Sequence, residues 1–163
     1  MQANKVYLAS DHGGFKGKEI ALKYCKERGF LCVDLGCNSP EISVDYPDFA
    51  NALAAHLEND KGAKGILVCG SGIGISIAAN RHKHIRCALC HDENTAMLSR
   101  LHNDANVLAF SGRFSDEKMI IAMLRAFFDT KFEGGRHQRR IDKIQVLEKK
   151  WFLILFYTLL WCV

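Results

Sequence analysis

Proline is scarce in this chain, with 2 residues in 163, and no low-complexity segment or internal repeat is visible. Long disordered linkers are thereby excluded. Charge of one sign is also missing. The 22 basic and 18 acidic residues leave a formal net charge of +4, too mild to specify nucleic acid as a partner. The first ten residues, "MQANKVYLAS", lack the apolar core of a signal peptide, and the seven cysteines are an odd number for a disulfide framework. Both point to the reducing cytoplasm. The pair Cys87 and Cys90 in "IRCALCHD" has the gap of a zinc or redox motif, but no second pair follows at zinc-ribbon spacing. On a strand, residues three apart also point to opposite faces, so no metal is expected there.

Only one long apolar run occurs, "WFLILFYTLLWCV" at residues 151 to 163. As a helix its 13 residues would reach about 20 Å, short of the roughly 30 Å hydrocarbon core of a bilayer. A membrane-spanning role is not expected. Packing or interface element, membrane-surface anchor, and non-native extension from an altered reading frame all remain open for it.

What is present is ordinary globular composition: 48% hydrophobic and 25% charged residues, enough for one core. The expectation is a single domain over residues 1 to 150, followed by the apolar extension. Periodicity gives strands at 5–9, 31–35, 65–69, 85–90 and 106–110. Helical patterns fall at 15–28, 45–60, 73–82, 93–102, 115–129 and 137–150, with Pro47 early in the second, where its missing N–H costs nothing. Short apolar strands alternating with helices indicate an α/β fold: a doubly wound, Rossmann-like three-layer α/β/α sandwich on a five-stranded parallel sheet.

In such sheets ligands bind beyond the carboxyl ends of the strands. The segments there are "SDHGGFK", "GCNSPEISVDYPD", "GSGIG", "HDENTA" and "SGRFSD". They gather Asp11, His12, Tyr46, Cys69, Ser71, His91, Asp92 and Arg113 at one edge. His102 and Asn103, in "LSRLHND", end a helix and belong to the opposite edge unless a dimer or a bend brings them in.

The stretch "ILVCGSGIGISIAANR", residues 66 to 81, is the most informative. An apolar strand ends in Cys69 and runs into Gly70, Gly72 and Gly74 before a helical pattern. A helix N-terminus offers unpaired N–H groups and a partial positive charge, glycine lets an anion approach, and a thiol placed there gains acidity. Packing, as a small hydrophobe closing a strand, is nevertheless the commoner fate of such a cysteine. No Gly-Lys-Ser/Thr follows, so this is not a P-loop, and Ile75 stands where a dinucleotide fingerprint needs glycine. A turn for one small anion remains, either a phosphate or a developing oxyanion. The basic run "GGRHQRRIDK", residues 134 to 143, suits one phosphate group or a solvated helix face.

Five motifs, "SDHGGFKGKE", "DYPDFA", "CGSGIGISIAANR", "SRLHNDANVLAFSGR" and "FEGGRHQRRI", in this order and spacing, resemble the ribose-5-phosphate isomerases of the B type. These are related to the allose- and galactose-6-phosphate isomerases. The resemblance spans residues 5 to about 150 and implies an aldose–ketose isomerase, without metal or organic cofactor, that works through an enediolate. It implies that Cys69 is the base, that Gly70, Gly72 and Gly74 with Ser71 hold the developing negative charge, and that His102 and Asp11 open the sugar ring. For His102 the alternative is a capped helix end. His12, Arg113, Arg136 and Arg140 would bind the phosphate, and Tyr46 and Asn103 the sugar hydroxyls and enediolate. The implied partners are a sugar phosphate and a second copy of the chain, in a homodimer or dimer of dimers with shared sites. A hexose phosphate substrate, or a non-catalytic sugar-phosphate sensor, is the rival expectation. The tail after Lys150 departs from the family, whose chains usually end there.

Overall fold

The computed structural model describes residues 5–145, which fall into two compact units divided before Glu133. The first holds five strands, β1 (Lys5–Ser10), β2 (Leu31–Asp34), β3 (Lys64–Cys69), β4 (Cys87–Leu89) and β5 (Val107–Ser111). Its helices are α1 (Phe15–Glu27), α2 (Tyr46–Asn59), α3 (Ile73–Ala79), α4 (Glu93–Asn103) and α5 (Glu117–Asp129), with a 3-10 turn at His12–Gly14. The described part of the second unit contains α6 (Arg136–Gln145).

The sheet order is β2-β1-β3-β5-β4, and every pair is parallel. Because side chains alternate along a strand, each strand feeds two cores. Val6, Leu8, Ile66, Val68, Leu108 and Phe110 face one way and pack with Ala21 and Cys25 of α1 and Ile120, Met123 and Phe127 of α5. Tyr7, Ala9, Leu67, Cys69, Val107 and Ala109 face the other and pack with Leu53 and Leu57 of α2 and Ile75 and Ala79 of α3. This is the three-layer, doubly wound α/β sandwich that the apolar runs imply. Cys87 and Cys90 divide the same way, one against each core, so they cannot close on a common ion.

The order also fixes where a ligand goes. β1 leads into α1 on one face and β3 into α3 on the other, although the two strands are neighbours. Their diverging loops open a crevice, the topological switch point of the sheet.

Most boundaries fall within one residue of the periodic reading, and three differ by two or more. β4 covers only Cys87–Leu89, because the Arg86 N–H is taken by the Asn106 side chain at 2.7 Å. α3 stops at Ala79, where Asn80 turns its amide onto the chain ahead, donating to the Cys87 carbonyl (2.8 Å) and accepting from the Cys87 N–H (2.9 Å). α5 starts at Glu117, capped by Asp116 accepting from the Met119 N–H at 2.7 Å. Residues 146 to 150 of the last helical pattern, and the apolar run 151 to 163, lie outside the described residues.

Among the described residues no helix is long and apolar enough to cross a membrane.

Candidate active site

The ends of β1, β3 and β5 meet backbone to backbone. The Asp11 N–H donates to the Val68 carbonyl (3.2 Å), and the Gly112 N–H to the Cys69 carbonyl (2.9 Å). The Gly70 carbonyl accepts from the Ser111 hydroxyl at 2.7 Å. A Cβ on Gly14 would fall 2.3 Å from the Val68 carbonyl oxygen, so the loop after β1 lies this close to β3 only as glycine.

Cys69 closes β3 and is buried, with its sulfur 3.1 Å from the Gly72 N–H that donates to it. That bond depends on the turn: Gly72 takes φ +78°, the left-handed region that glycine enters without penalty. One amide of the glycine turn is thus committed to the sulfur, and the Ile73 N–H is committed to the Ser71 hydroxyl at 3.3 Å. The Gly72 amide is therefore aimed at the sulfur in this structure.

Around this sulfur opens a cavity of about 360 Å³, into which Asp11, His12, Tyr46, Ser71 and Arg113 project along with Gly70 and Gly74. Asp11 is buried and one of its oxygens accepts from the Gly14 N–H at 2.9 Å, which anchors the carboxylate at the mouth of the 3-10 turn. The His12 Nδ1 meets the Val44 backbone, accepting from its N–H at 3.2 Å. Its Nε2 has no partner among the described residues. The Tyr46 ring lies against Gly74, where a Cβ would come within 2.6 Å of it, and Arg113 lies across Gly70 at 3.2 Å from such a Cβ. Phe114, 83% exposed, completes the lining. Reading polar types at strand ends passes over it, although "SGRFSD" holds it at the right place.

Not every expected residue reaches this cavity. Asp92 caps α4, accepting from the Thr95 N–H at 2.7 Å, a bond that lowers its carboxyl below the usual range. His91 is absent from the lining. His102 and Asn103 end α4, which runs back along the sheet, so they lie beside the start of β5, at the opposite edge from Cys69. The Asn103 carbonyl accepts there from Arg86 Nε at 3.1 Å. Within one chain these two residues do not join the cavity. Arg136 and Arg140 lie on α6, four apart and so on one helix face.

Comparison with known proteins shows the family of the chain. The family model described as Ribose/Galactose Isomerase matches residues 6–144. The chain belongs to that family. A probable ribose-5-phosphate isomerase B of Mycoplasma genitalium is 44% identical over 146 residues, 89% of this chain and 96% of that one. The ribose-5-phosphate isomerase B of Escherichia coli is 39% identical, with 90% and 97% covered. Among solved structures, the Mycoplasma genitalium isomerase with bound ribulose 5-phosphate superposes with TM-score 0.86 at 45% identity, covering 91% of this chain and 98% of that one. The Clostridium thermocellum enzyme gives 0.86 at 40% identity, covering 90% and 99%. The family member described here is accordingly an isomerase, with the α/β fold of those structures.

Proposed function

We propose that the chain interconverts ribose 5-phosphate and ribulose 5-phosphate through an enediolate, with Cys69 as the base. The observation that carries this reading is the Cys69 sulfur, held by the Gly72 amide at the floor of a cavity that also contains a histidine, a carboxylate and an arginine. Moving a carbonyl between C1 and C2 requires one group that takes a proton from one carbon and returns it to the next. A thiolate does this. Negative charge on the substrate oxygen would be met by the Ser71 and Gly74 amides and the Ser71 hydroxyl, the Gly72 amide being occupied.

A pentose phosphate rests largely as a closed ring, so its ring oxygen must gain a proton and its anomeric hydroxyl lose one first. Asp11 and His102 are assigned to this step, imidazole being suited to either direction near neutral pH. His12, Arg113, Arg136 and Arg140 bind the phosphate, for which guanidinium forks are well shaped. Tyr46 and Asn103 contact the sugar hydroxyls. Because His102 and Asn103 sit at the far edge of their own sheet, the reading requires a homodimer in which they enter the partner's cavity. No metal or organic cofactor is assigned. The reaction belongs to pentose phosphate metabolism and the protein to the cytoplasm, in keeping with six free cysteines among the described residues.

The test is direct turnover of ribose 5-phosphate by the purified chain, with and without EDTA, beside allose 6-phosphate. Pentose turnover that survives chelation and exceeds hexose turnover is expected. Preference for the hexose would reassign the substrate. No turnover of either sugar by folded protein that still binds both would favour a sensor.

A further inference from the structure

At the edge of the sheet opposite the cavity, two guanidiniums share one carboxylate. Arg86 Nη2 donates to one Asp104 oxygen at 2.8 Å and Arg100 Nη1 to the other at 2.8 Å, so both oxygens are engaged. Lys64 opens β3, and by alternation its side chain leaves the sheet on the face of Ile66 and Val68, the same face on which the Arg100 guanidinium lies over Phe127. The next residue, Gly65, donates its N–H to the Asn106 carbonyl (2.9 Å), and the Asn106 side chain accepts from the Arg86 N–H (2.7 Å). The Lys64 side chain is half-buried and, among the described residues, makes no hydrogen bond or close ion pair. The buried Nε of Arg100 likewise lacks an acceptor. The cluster therefore holds a surplus of positive charge in a place where water is partly excluded.

We propose that Lys64 is a carbamylation site: its amine, placed beside Arg86 and Arg100 with their shared carboxylate already engaged, takes up carbon dioxide as a covalent carbamate. The neutral amine attacks the carbon of CO₂, an N–C bond forms, one C=O pair moves onto oxygen, and the nitrogen proton leaves to water. No oxidant or reductant takes part. The change replaces a cation by an anion, so Arg86, Arg100, Asp104 and the modified Lys64 together become neutral. Acylation or imine formation would leave the two guanidiniums with one carboxylate between them. The neutral amine that the step needs is available because burial, then Arg100 and Arg86, bring the Lys64 pKa down to about 8 against the opposing pull of Asp104. Within one chain this site lies at the opposite edge from Cys69, next to Asn103, and the uptake of carbon dioxide proposed for it does not rest on the isomerase reading.

The experiment incubates the full-length protein with ¹³C-bicarbonate at pH 8, traps carbamates by O-alkylation with a trialkyloxonium salt, and maps them by mass spectrometry. Exposed Lys16 and Lys23 serve as internal references. Occupancy at Lys64 at least severalfold above both references is expected, with no trapped carbamate at that position in Lys64→Arg. Arg86→Gln should lower the occupancy severalfold, and Arg86→Lys, which keeps the charge, should retain it. Occupancy at Lys64 no higher than at the references, in protein with a native circular dichroism spectrum, would overturn the proposal. An unchanged mark in folded Arg86→Gln would overturn its electrostatic basis.

Discussion

The Cys69 sulfur lies 3.1 Å from an amide donor, whereas the buried thiols of Cys25 and Cys90 are pushed up to about 12 and about 11 by loss of water. The chain thus separates a thiol that lines the cavity from thiols that pack in the core. Lysine shows the same division. For Lys64 a folded pKa of about 8, below the ordinary lysine value of 10.5, means that the unfolded chain binds more protons between those values. Its burial therefore costs stability below pH 8, and the cost is relieved as pH rises towards 10. The buried thiols act oppositely, since they stay protonated in the fold where the unfolded chain ionises them. Urea melts at pH 7 and pH 10 should show Lys64→Met gaining more at pH 7 than at pH 10 relative to the unmodified chain; equal gains would refute the assignment. Arg140 belongs to binding in this account. Arg140→Ala should raise KM about tenfold or more with kcat little changed, as for a contact made equally in ground and transition states. Loss of kcat at constant KM would reassign it. Cys69, Asp11, Tyr46 and Arg113 were legible in the sequence because position after a strand fixes their edge. The Val44 contact that orients His12 spans 32 residues and leaves no local signal.

Elements follow the sequence wherever one physical rule dominates. Strands β1, β3 and β5 are apolar runs whose alternate residues enter two cores, so their positions could be read within a residue or two. Boundaries set by side chains from elsewhere in the chain were not legible. β4 is trimmed by Asn106 at one end, and α3 is stopped by Asn80 reaching forward to Cys87. This pair of bonds closes the connection between α3 and β4, and Asn80→Ala should lower the unfolding free energy by roughly 1–3 kcal/mol in urea titration. A change near zero would mean that water replaces both bonds without loss.

The whole molecule poses the question that one chain leaves incomplete. Cys69 and His102 lie at opposite edges of the sheet, separated by the length of β3, roughly 16 Å at the rise of a strand. The family's implied chemistry uses both, so the account requires two-fold assembly in which each cavity is completed by the partner. Neither residue's type nor its spacing carries that geometry, and it entered the sequence reading only through resemblance. Mixing inactive Cys69→Ala with inactive His102→Asn chains, after dissociation and reassembly, should restore about a quarter of full activity, because half the dimers are mixed and each has one intact cavity. No recovery in reassembled mixed dimers would place both groups in a cavity built by one chain.

The central claim concerns a single proton. In D₂O the unmodified chain should exchange the C2 hydrogen of ribose 5-phosphate for deuterium during turnover, followed by proton NMR. Cys69→Ala should bind the sugar phosphate within a few fold of normal affinity yet lose that exchange by at least a hundredfold. Exchange persisting near the original rate in Cys69→Ala would contradict the account and move the base to another group.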